Sequence, residues 1–267
     1  MTESPGVLFE RLLDIMAHLR GPDGCPWDRD QTRASLKPFL IEEAYEVLEA
    51  IEAGRERELR EELGDLLLQV VFHARLGEEA GESGMSDVLR CLIDKLIRRH
   101  PHVFADASAA TPKDVVVQWE ALKQREAEGR RRSVIDGVPR SLPSLLRAQR
   151  LQSKAARVNF DWPDARAAWQ KVEEELRETA EALAADDAAR VREELGDLLF
   201  SLVNVARLSE IDAEDALRGA IEKFRRRFTD MEADLVARGT SLGEASQDEL
   251  ERSWEAAKSH ERDSREP

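Results

Sequence analysis

Two pairs of acidic residues in the second half of this chain recur in the first half at the same spacing. The second-half set is Glu175, Glu178, Glu194 and Asp197, and at an offset of 132 residues the first-half set is Glu43, Glu46, Glu62 and Asp65. The two members of each pair are three residues apart, so on a helix they project from one face. If two such helices pack side by side as antiparallel neighbours, four carboxylates converge on one spot.

Converging carboxylates repel one another and raise each other's pKa unless a positive charge lies between them. Hard divalent cations with oxygen ligands, Mg²⁺ or Mn²⁺, supply that charge and typically bind phosphate oxygens as well. Di-iron bundles gather carboxylates through Glu-x-x-His pairs, but none of the five histidines lies three residues after a glutamate. A lone Glu-x-x-Asp is common on solvated helix flanks. Its recurrence beside a second acidic pair therefore predicts a metal site for a phosphate substrate.

The acidic pairs belong to a longer internal repeat. Residues 191–207 read VREELGDLLFSLVNVAR and residues 59–75 read LREELGDLLLQVVFHAR, with the same residue at 11 of 17 positions. Such self-similarity indicates a duplicated unit. We place the first copy at residues 1–126 and the second at 144–267. Residues 127–143, basic and then rich in Gly and Pro, read as a linker.

The pattern of apolar residues indicates helices throughout. Ala, Leu, Glu and Arg are abundant, aromatic residues make up 5% of the chain, and no useful stretch alternates with period two. The prediction is an all-α fold, a tandem repeat of two helical bundles, with Asp164 as the N-cap of the first acidic helix of the second copy. The residues expected to face inward on that helix are Trp169, Val172, Leu176, Thr179 and Leu183. Those expected along one flank are Lys171, Glu174, Glu175 and Glu178.

Composition excludes several classes of function. The net charge of −15 argues against binding long nucleic acids, which needs clustered basic side chains. The apolar runs are far shorter than the roughly 18 residues of a membrane span, and no signal-peptide pattern opens the chain. Two isolated cysteines fit a reducing compartment. We expect a cytoplasmic protein with no membrane partner.

Several segments together resemble the MazG family. They are EEAYEVLEAIEAG followed by EELGDLLLQVVFHA, with CPWDRDQT before them and RRHPHVF and QWEALK after them. The stretch SVIDGVPRSLPSLLRAQRLQSKAARVNFDW resembles the connection into a second MazG domain. The resemblance covers nearly the whole chain. It implies an all-α, Mg²⁺-dependent homodimer that converts an NTP or dNTP and water to the monophosphate and pyrophosphate.

The resemblance also implies roles for particular residues. The implied metal ligands are Glu175, Glu178, Glu194 and Asp197, with a possible second site at Glu43, Glu46, Glu62 and Asp65. The implied nucleotide-binding residues are Lys171, Glu174, Arg190, Glu193, Lys223, Arg226, Arg227 and Trp254. For the proton of the attacking water, Glu174 and Glu193 are both candidates. From the residues alone, the basic run at 223–227 is more typical of surface charge, and Trp254 is typical of helix packing.

The second copy is the expected catalytic one. Where it carries Lys171, Ser201 and Asn204, the first copy carries Phe39, Gln69 and Phe72. The first copy therefore keeps the acidic set without its polar neighbours, which predicts weak or absent catalysis there. Three alternatives stay open: a house-cleaning pyrophosphatase for one non-canonical nucleotide, a regulatory protein that binds a nucleotide without hydrolysing it, and a purely structural helical repeat, which any metal-dependent nucleotide affinity would exclude.

Overall fold

The computed structural model describes residues 3–263 except 106, 112–113, 116–117, 120–121 and 123–132. Within these residues the regular elements are helices and no β-strand occurs, so the predicted all-α fold is confirmed. The chain divides into two compact units, Met1–Glu126 and Ala127–Pro267.

Six helices of the first unit lie wholly within the described residues. They are α1 (Pro5–Leu19), α2 (Pro26–Asp30), α3 (Lys37–Glu52), α4 (Glu56–Glu79), α5 (Met85–Arg99) and α6 (Pro101–Phe104). The first set of acidic residues lies on α3 and α4, which pack against each other.

The described part of the second unit contains five helices. They are α7 (Ser144–Ala156), α8 (Ala165–Ala184), α9 (Ala188–Leu208), α10 (Ala213–Ala237) and α11 (Gln247–Asp263). The second set of acidic residues lies on α8 and α9, again a packed pair. None of the helices described in either unit combines the length and apolar character that crossing a bilayer requires.

A three-residue turn places the acidic helices of each unit side by side. Between α8 and α9, Asp186 has a left-handed backbone with φ of 53°, and between α3 and α4, Gly54 has the same conformation with φ of 63°. Glycine and aspartate tolerate this region better than most residues. So short a connection makes consecutive helices antiparallel neighbours. Within each hairpin, the acidic pair of the first helix therefore lies next to that of the second helix.

Aspartate side chains fix where three helices of the second unit begin. The Asp164 carboxylate accepts a hydrogen bond of 2.8 Å from the Ala167 backbone N–H, which confirms the predicted N-cap of α8. Asp187 and Asp212 cap α9 and α10 in the same way. A capped start satisfies backbone donors that the helix leaves unpaired, so the register of each acidic helix is defined.

Only part of the predicted inward face of α8 is buried. Val172 and Thr179 are buried, but Trp169, Leu176 and Leu183 are exposed, so the prediction for these three was wrong. The reason is that α8 packs closely along one stripe, mainly against α9. The rest of its apolar surface faces solvent in the single chain.

The first unit is held together by an apolar core and one buried arginine. Met16, Leu36, Val71 and Phe72 form the core, and the Arg20 guanidinium lies 5.3 Å from the centre of the Phe72 ring. That core joins α1 to α4, and it fixes the end of the first unit opposite the α3–α4 turn.

Arg20 also makes a two-pronged ion pair between α1 and α4. Its Nε lies 3.0 Å from Glu79 Oε1 and its Nη2 lies 2.7 Å from Glu79 Oε2, while its side chain is only 7% exposed. The hydrogen bonds from Arg20, and then those from Arg75, lower the pKa of Glu79 despite the opposing effect of burial. The bidentate geometry is the stronger kind of charge-assisted contact.

We expect Glu79→Gln to lower the free energy of unfolding by about 1–3 kcal/mol at neutral pH, because Arg20 loses its anionic partner. A carboxyl whose folded pKa is lowered contributes stability above its unfolded pKa of about 4.3, and loses it as the pH falls through the folded value. The difference from wild type should therefore vanish in acid. Urea unfolding across the acidic range measures this difference.

Glu78→Gln is the matched control, since Glu78 is 61% exposed. Equal wild-type and Glu79→Gln stability at neutral pH would contradict the prediction.

Candidate functional site

Three acidic side chains of the second unit converge between α8 and α9. One carboxylate oxygen from each of Glu175, Glu194 and Asp197 lies within 4.8 Å of the other two. We call these three residues the carboxylate cluster. Glu175 comes from α8 and the other two from α9, as expected of an antiparallel hairpin with i, i+3 pairs.

Glu175 lies inside the unit, although the helical pattern predicts it on a flank of α8. The residue is 4% exposed. Its Oε1 lies 2.6 Å from Lys171 Nζ, whereas its buried Oε2 has no hydrogen-bond partner in the described structure. A buried acceptor without a partner is costly. A buried carboxylate with an unpartnered oxygen, close to two more carboxylates, fits a hard divalent cation.

Two cations partly neutralise the carboxylate cluster. Lys171 Nζ contacts Glu174 Oε1 at 2.9 Å as well as Glu175, and the Arg190 Nε lies 3.2 Å from Glu194 Oε1. Hydrogen bonds to Glu175 and then to Glu174 raise the pKa of Lys171 strongly, so the lysine stays charged at any physiological pH. The second unit thus combines oxygens that suit a divalent metal with cations that suit phosphate.

Glu178, the fourth predicted metal ligand, stands outside the carboxylate cluster. It is half-buried one turn further along α8, and its Oε1 lies 4.0 Å from Arg177 Nη2. Its charge nevertheless acts on Arg190, whose pKa it helps to raise after Glu194 and Glu181. Glu193 is exposed on α9. The metal role of Glu178 and the base role of Glu174 or Glu193 stay predictions.

The other predicted nucleotide-binding residues lie on α10 and α11. Lys223, Arg226 and Arg227 follow one another along the middle of α10. Trp254 of α11 packs against Phe224, with ring centres 5.4 Å apart. This contact fastens α11 to α10, and any contact of these four residues with a nucleotide stays a prediction.

The first unit gathers the corresponding acids without the cations. Carboxylate oxygens of Glu43, Glu62 and Asp65 lie within 4.8 Å of one another. Burial, then Asp65 and Glu46, raise the pKa of Glu43. Burial and neighbouring acids also raise the pKa of Glu62. Each effect disfavours the charged form, as expected where carboxylates face one another uncompensated.

Two exchanges between the units explain this difference. Phe39 occupies the position of Lys171, and Glu58 occupies that of Arg190. Phe39 packs edge-on against Trp27 at 5.9 Å, and the charge of Glu58 further raises the pKa of Glu62. The first unit therefore lacks both cations that contact the carboxylate cluster of the second.

Sequence reasoning missed the burial of Glu175 and the exchange of Arg190 for Glu58. A signal for the first was present, because Glu175 lies three residues after Val172 and four before Thr179, and both of these were expected inside. The exchange of Arg190 for Glu58 is visible when the two copies of the repeat are aligned at the offset of 132 residues.

Comparison with known proteins gives consistent matches over both units. Residues 31–104 and 165–231 match the family model of the MazG nucleotide pyrophosphohydrolase domain, which confirms the predicted tandem arrangement. The chain is 47% identical over 253 residues to the nucleoside triphosphate pyrophosphohydrolase/pyrophosphatase MazG of Thermotoga maritima, covering 95% of this chain and 96% of that protein. It is 44% identical over 261 residues to the nucleoside triphosphate pyrophosphohydrolase of Escherichia coli K12, covering 96% and 98%. An uncharacterized protein of Bacillus subtilis, YabN, is 44% identical over 95% of this chain and 52% of its own length.

We expect Lys171→Met to lower the free energy of unfolding by about 1–3 kcal/mol in a chelating buffer, because the buried Glu175 carboxylate loses its cation. Denaturant unfolding of the purified chain measures the change. Arg177→Met is the matched control on the same helix, since Arg177 contacts the half-exposed Glu181 and its own side chain is 62% exposed. Equal losses in the two variants would contradict a special role for the Lys171–Glu175 pair.

Proposed function

This chain belongs to the MazG family, and we propose that its second unit hydrolyses nucleoside triphosphates, with ribose or deoxyribose, to the monophosphate and pyrophosphate. One observation carries the proposal: the buried Glu175, which keeps one unpartnered oxygen, lies beside Glu194 and Asp197, while Lys171 and Arg190 contact the same group of acids. A site of this kind suits a substrate that is itself a metal-bound polyphosphate. The names of the relatives agree with that substrate class.

The residues fit Mg²⁺, with Mn²⁺ as a substitute. Glu175, Glu194 and Asp197 would hold it, with Glu178 as a fourth ligand, since all of these supply hard oxygen atoms. A divalent cation bound there would screen the triphosphate charge and lower the pKa of a bound water.

Lys171 and Arg190 take part through an exchange of partners. In the free chain each is paired with an acid, Lys171 with Glu175 and Arg190 with Glu194. Once positive charge from elsewhere compensates those acids, both cations turn to phosphate oxygens. Lys223, Arg226 and Arg227 of α10 add further donors and stabilise the departing pyrophosphate.

The attacking water must lose one proton while the bond between the α- and β-phosphates breaks. We assign the acceptor to Glu174 or Glu193, which neighbour the cluster on α8 and α9. Lys171 contacts both Glu174 and Glu175, so a change of charge at one carboxylate alters the electrostatic environment of the other. The water oxygen ends on one product, and the bridging oxygen leaves on the other.

The first unit is proposed to contribute little or no turnover. It keeps Glu43, Glu62 and Asp65 close together, with Glu46 beside Glu43, and this set forms a second cation site in the proposal. It lacks the two cations that would grip a triphosphate. Bound metal there would relieve the mutual repulsion of the acids.

We expect Glu194→Ala to abolish the release of monophosphate and pyrophosphate from NTPs and dNTPs. The loss should reach at least about 10³-fold, because the variant lacks one carboxylate of the cluster. The measurement is ³¹P NMR of the full chain with Mg²⁺, and circular dichroism checks that helix content is unchanged. Glu62→Ala is the matched control in the first unit and should keep most of the activity.

The products separate this proposal from its alternatives. Release of the nucleoside diphosphate and orthophosphate would contradict it. Tight Mg²⁺-dependent nucleotide binding with no product would favour the non-hydrolysing regulatory protein. Turnover confined to one modified nucleotide would favour the house-cleaning enzyme. Equal losses in Glu194→Ala and Glu62→Ala would overturn the assignment of catalysis to the second unit alone.

We also propose that the chain forms a homodimer through the exposed leucines of α8 and α9. Leu176, Leu183 and Leu199 are each more than half exposed, and Leu195 and Leu202 add to the same pair of helices. A contiguous apolar surface of this kind typically marks a protein interface. A second copy of the chain would bury it symmetrically. The cytoplasmic location stays a prediction.

We expect Leu199→Glu to convert the dimer to a monomer, because the charge would be buried at the interface without a partner. Light scattering coupled to size-exclusion chromatography measures the mass. Val236→Glu, at an exposed position near the end of α10, is the control and should stay dimeric. A monomeric wild type, or a dimeric Leu199→Glu, would contradict the interface.

A further inference from the structure

A cavity of about 870 Å³ opens beside the carboxylate cluster in the second unit. It is lined by residues of α7 and α9, by the segment between α7 and α8, by two residues before α7, and by Lys171 of α8. The same Lys171 contacts Glu174 and Glu175. One side chain therefore joins the cavity to the site proposed for the phosphates, and the volume is that of a small-molecule pocket.

Aromatic residues form one side of this cavity. Phe160 is 79% exposed, Trp162 and Phe200 are also well exposed, and Val134 and Ile135 add apolar surface. Exposed aromatic faces beside a polar cluster are a stacking surface for a planar ring. We call the cavity the aromatic pocket.

A buried hydrogen-bond acceptor lines the aromatic pocket. Gln152 of α7 is 7% exposed, and its Nε2 donates to the backbone carbonyl of Phe200 at 2.8 Å. Because a carbonyl only accepts, this bond fixes which end of the amide is nitrogen. The Gln152 Oε1 is buried and has no partner in the described structure. It is available to an N–H group of a ligand.

Ion pairing holds the aromatic wall in place without a ligand. The segment that carries Phe160 is tied to α9 by an ion pair between Asp161 and Arg207, and the Arg207 Nε also donates to Asn204 Oδ1 at 2.9 Å. Asn159 has a left-handed backbone, with φ of 63°, where the chain leaves α7. The pocket is therefore largely preformed.

The first unit has core side chains at the corresponding positions. Asn204 corresponds to Phe72, which is 2% exposed in the core, and Lys171 corresponds to Phe39, which packs against that core. Ser201 corresponds to the buried Gln69. Two phenylalanines thus stand where the second unit has an asparagine and a lysine on the pocket wall. The second unit therefore has both the polar pocket lining and the cations at the carboxylate cluster, as expected if one substrate occupies both.

We infer that the aromatic pocket binds the nucleobase of the triphosphate whose phosphates lie at the carboxylate cluster. The inference rests on the proposed function for the phosphates. The base stacks on the Phe160 and Trp162 side of the pocket and donates an N–H to Gln152 Oε1. Arg207 and Asp161 are positioning residues, because they act by holding the aromatic segment.

Phe160→Ala tests the pocket with little risk to the fold, because its side chain is mostly exposed. Steady-state kinetics should show kcat/KM for ATP, CTP, GTP and UTP lowered about 5- to 100-fold, the usual effect of removing one stacking partner. Inorganic tripolyphosphate has phosphates and no base, so its inhibition constant should stay within twofold of wild type. Phe104→Ala, an exposed phenylalanine of the first unit, is the matched control and should change neither constant.

Asn204→Phe provides an independent variant that fills the pocket with the first unit's own residue. It should reproduce the loss of kcat/KM and again spare tripolyphosphate inhibition. Unchanged kcat/KM in both variants would overturn the inference. So would a parallel loss of tripolyphosphate inhibition, because the change would then act on the phosphate site.

Binding of free nucleosides separates this inference from the proposed reaction. In saturation-transfer NMR with millimolar adenosine, cytidine, guanosine or uridine and no metal, base protons should receive saturation from wild type and not from Asn204→Phe. This result would support the pocket even if wild type released no pyrophosphate, in which case only the proposed reaction would fail. No transfer to any nucleoside from wild type, or equal transfer from both proteins, would overturn the pocket.

Discussion

The repulsion among carboxylates held between two helices is the constraint on which the rest of this structure depends. Packing α8 against α9 buries Glu175 beside Glu194 and Asp197, and an uncompensated set of this kind opposes folding. In the second unit, Lys171 and Arg190 compensate the negative charge. The first unit has neither cation, and the repulsion contributes to the raised pKa values of Glu43 and Glu62. The difference in chemistry between the units is thus first a difference in how each tolerates its own charge.

That electrostatic difference extends into the packing around each acidic pair. Phe39 packs against the apolar core of the first unit, whereas the corresponding residue of the second unit is the charged Lys171. Asn204 corresponds to the core residue Phe72 of the first unit. An asparagine at this position buries less apolar surface than a phenylalanine, and such a loss of stability is common at functional sites. The first unit therefore has apolar core residues at positions where the second unit has polar residues beside its carboxylate cluster.

Much of the fold could be predicted from the sequence, because helical periodicity and capping are local signals. The repeat, the all-α class and the cap at Asp164 are of this kind. Spacing predicted that four acids converge if the two helices pack side by side, and three of the four do so in the second unit. The exposure of Leu176 and Leu183 was not, because periodicity marks an apolar face without saying whether the same chain covers it. The orphaned oxygen of Gln152 was equally out of reach, since it depends on a contact with the carbonyl of Phe200 across two helices.

The three-residue turn between the acidic helices limits which changes of length the chain can accept. Each added residue would rotate α9 by about 100° against α8 and carry Glu194 away from Glu175. The two units agree with this limit: α3 ends and α4 begins at the positions that correspond to α8 and α9 without any shift. The next connection is different, because α10 begins four residues earlier than α5 in the same alignment. Insertions and deletions have thus accumulated after the hairpin and not within it, as expected if the turn sets the distance between the acids.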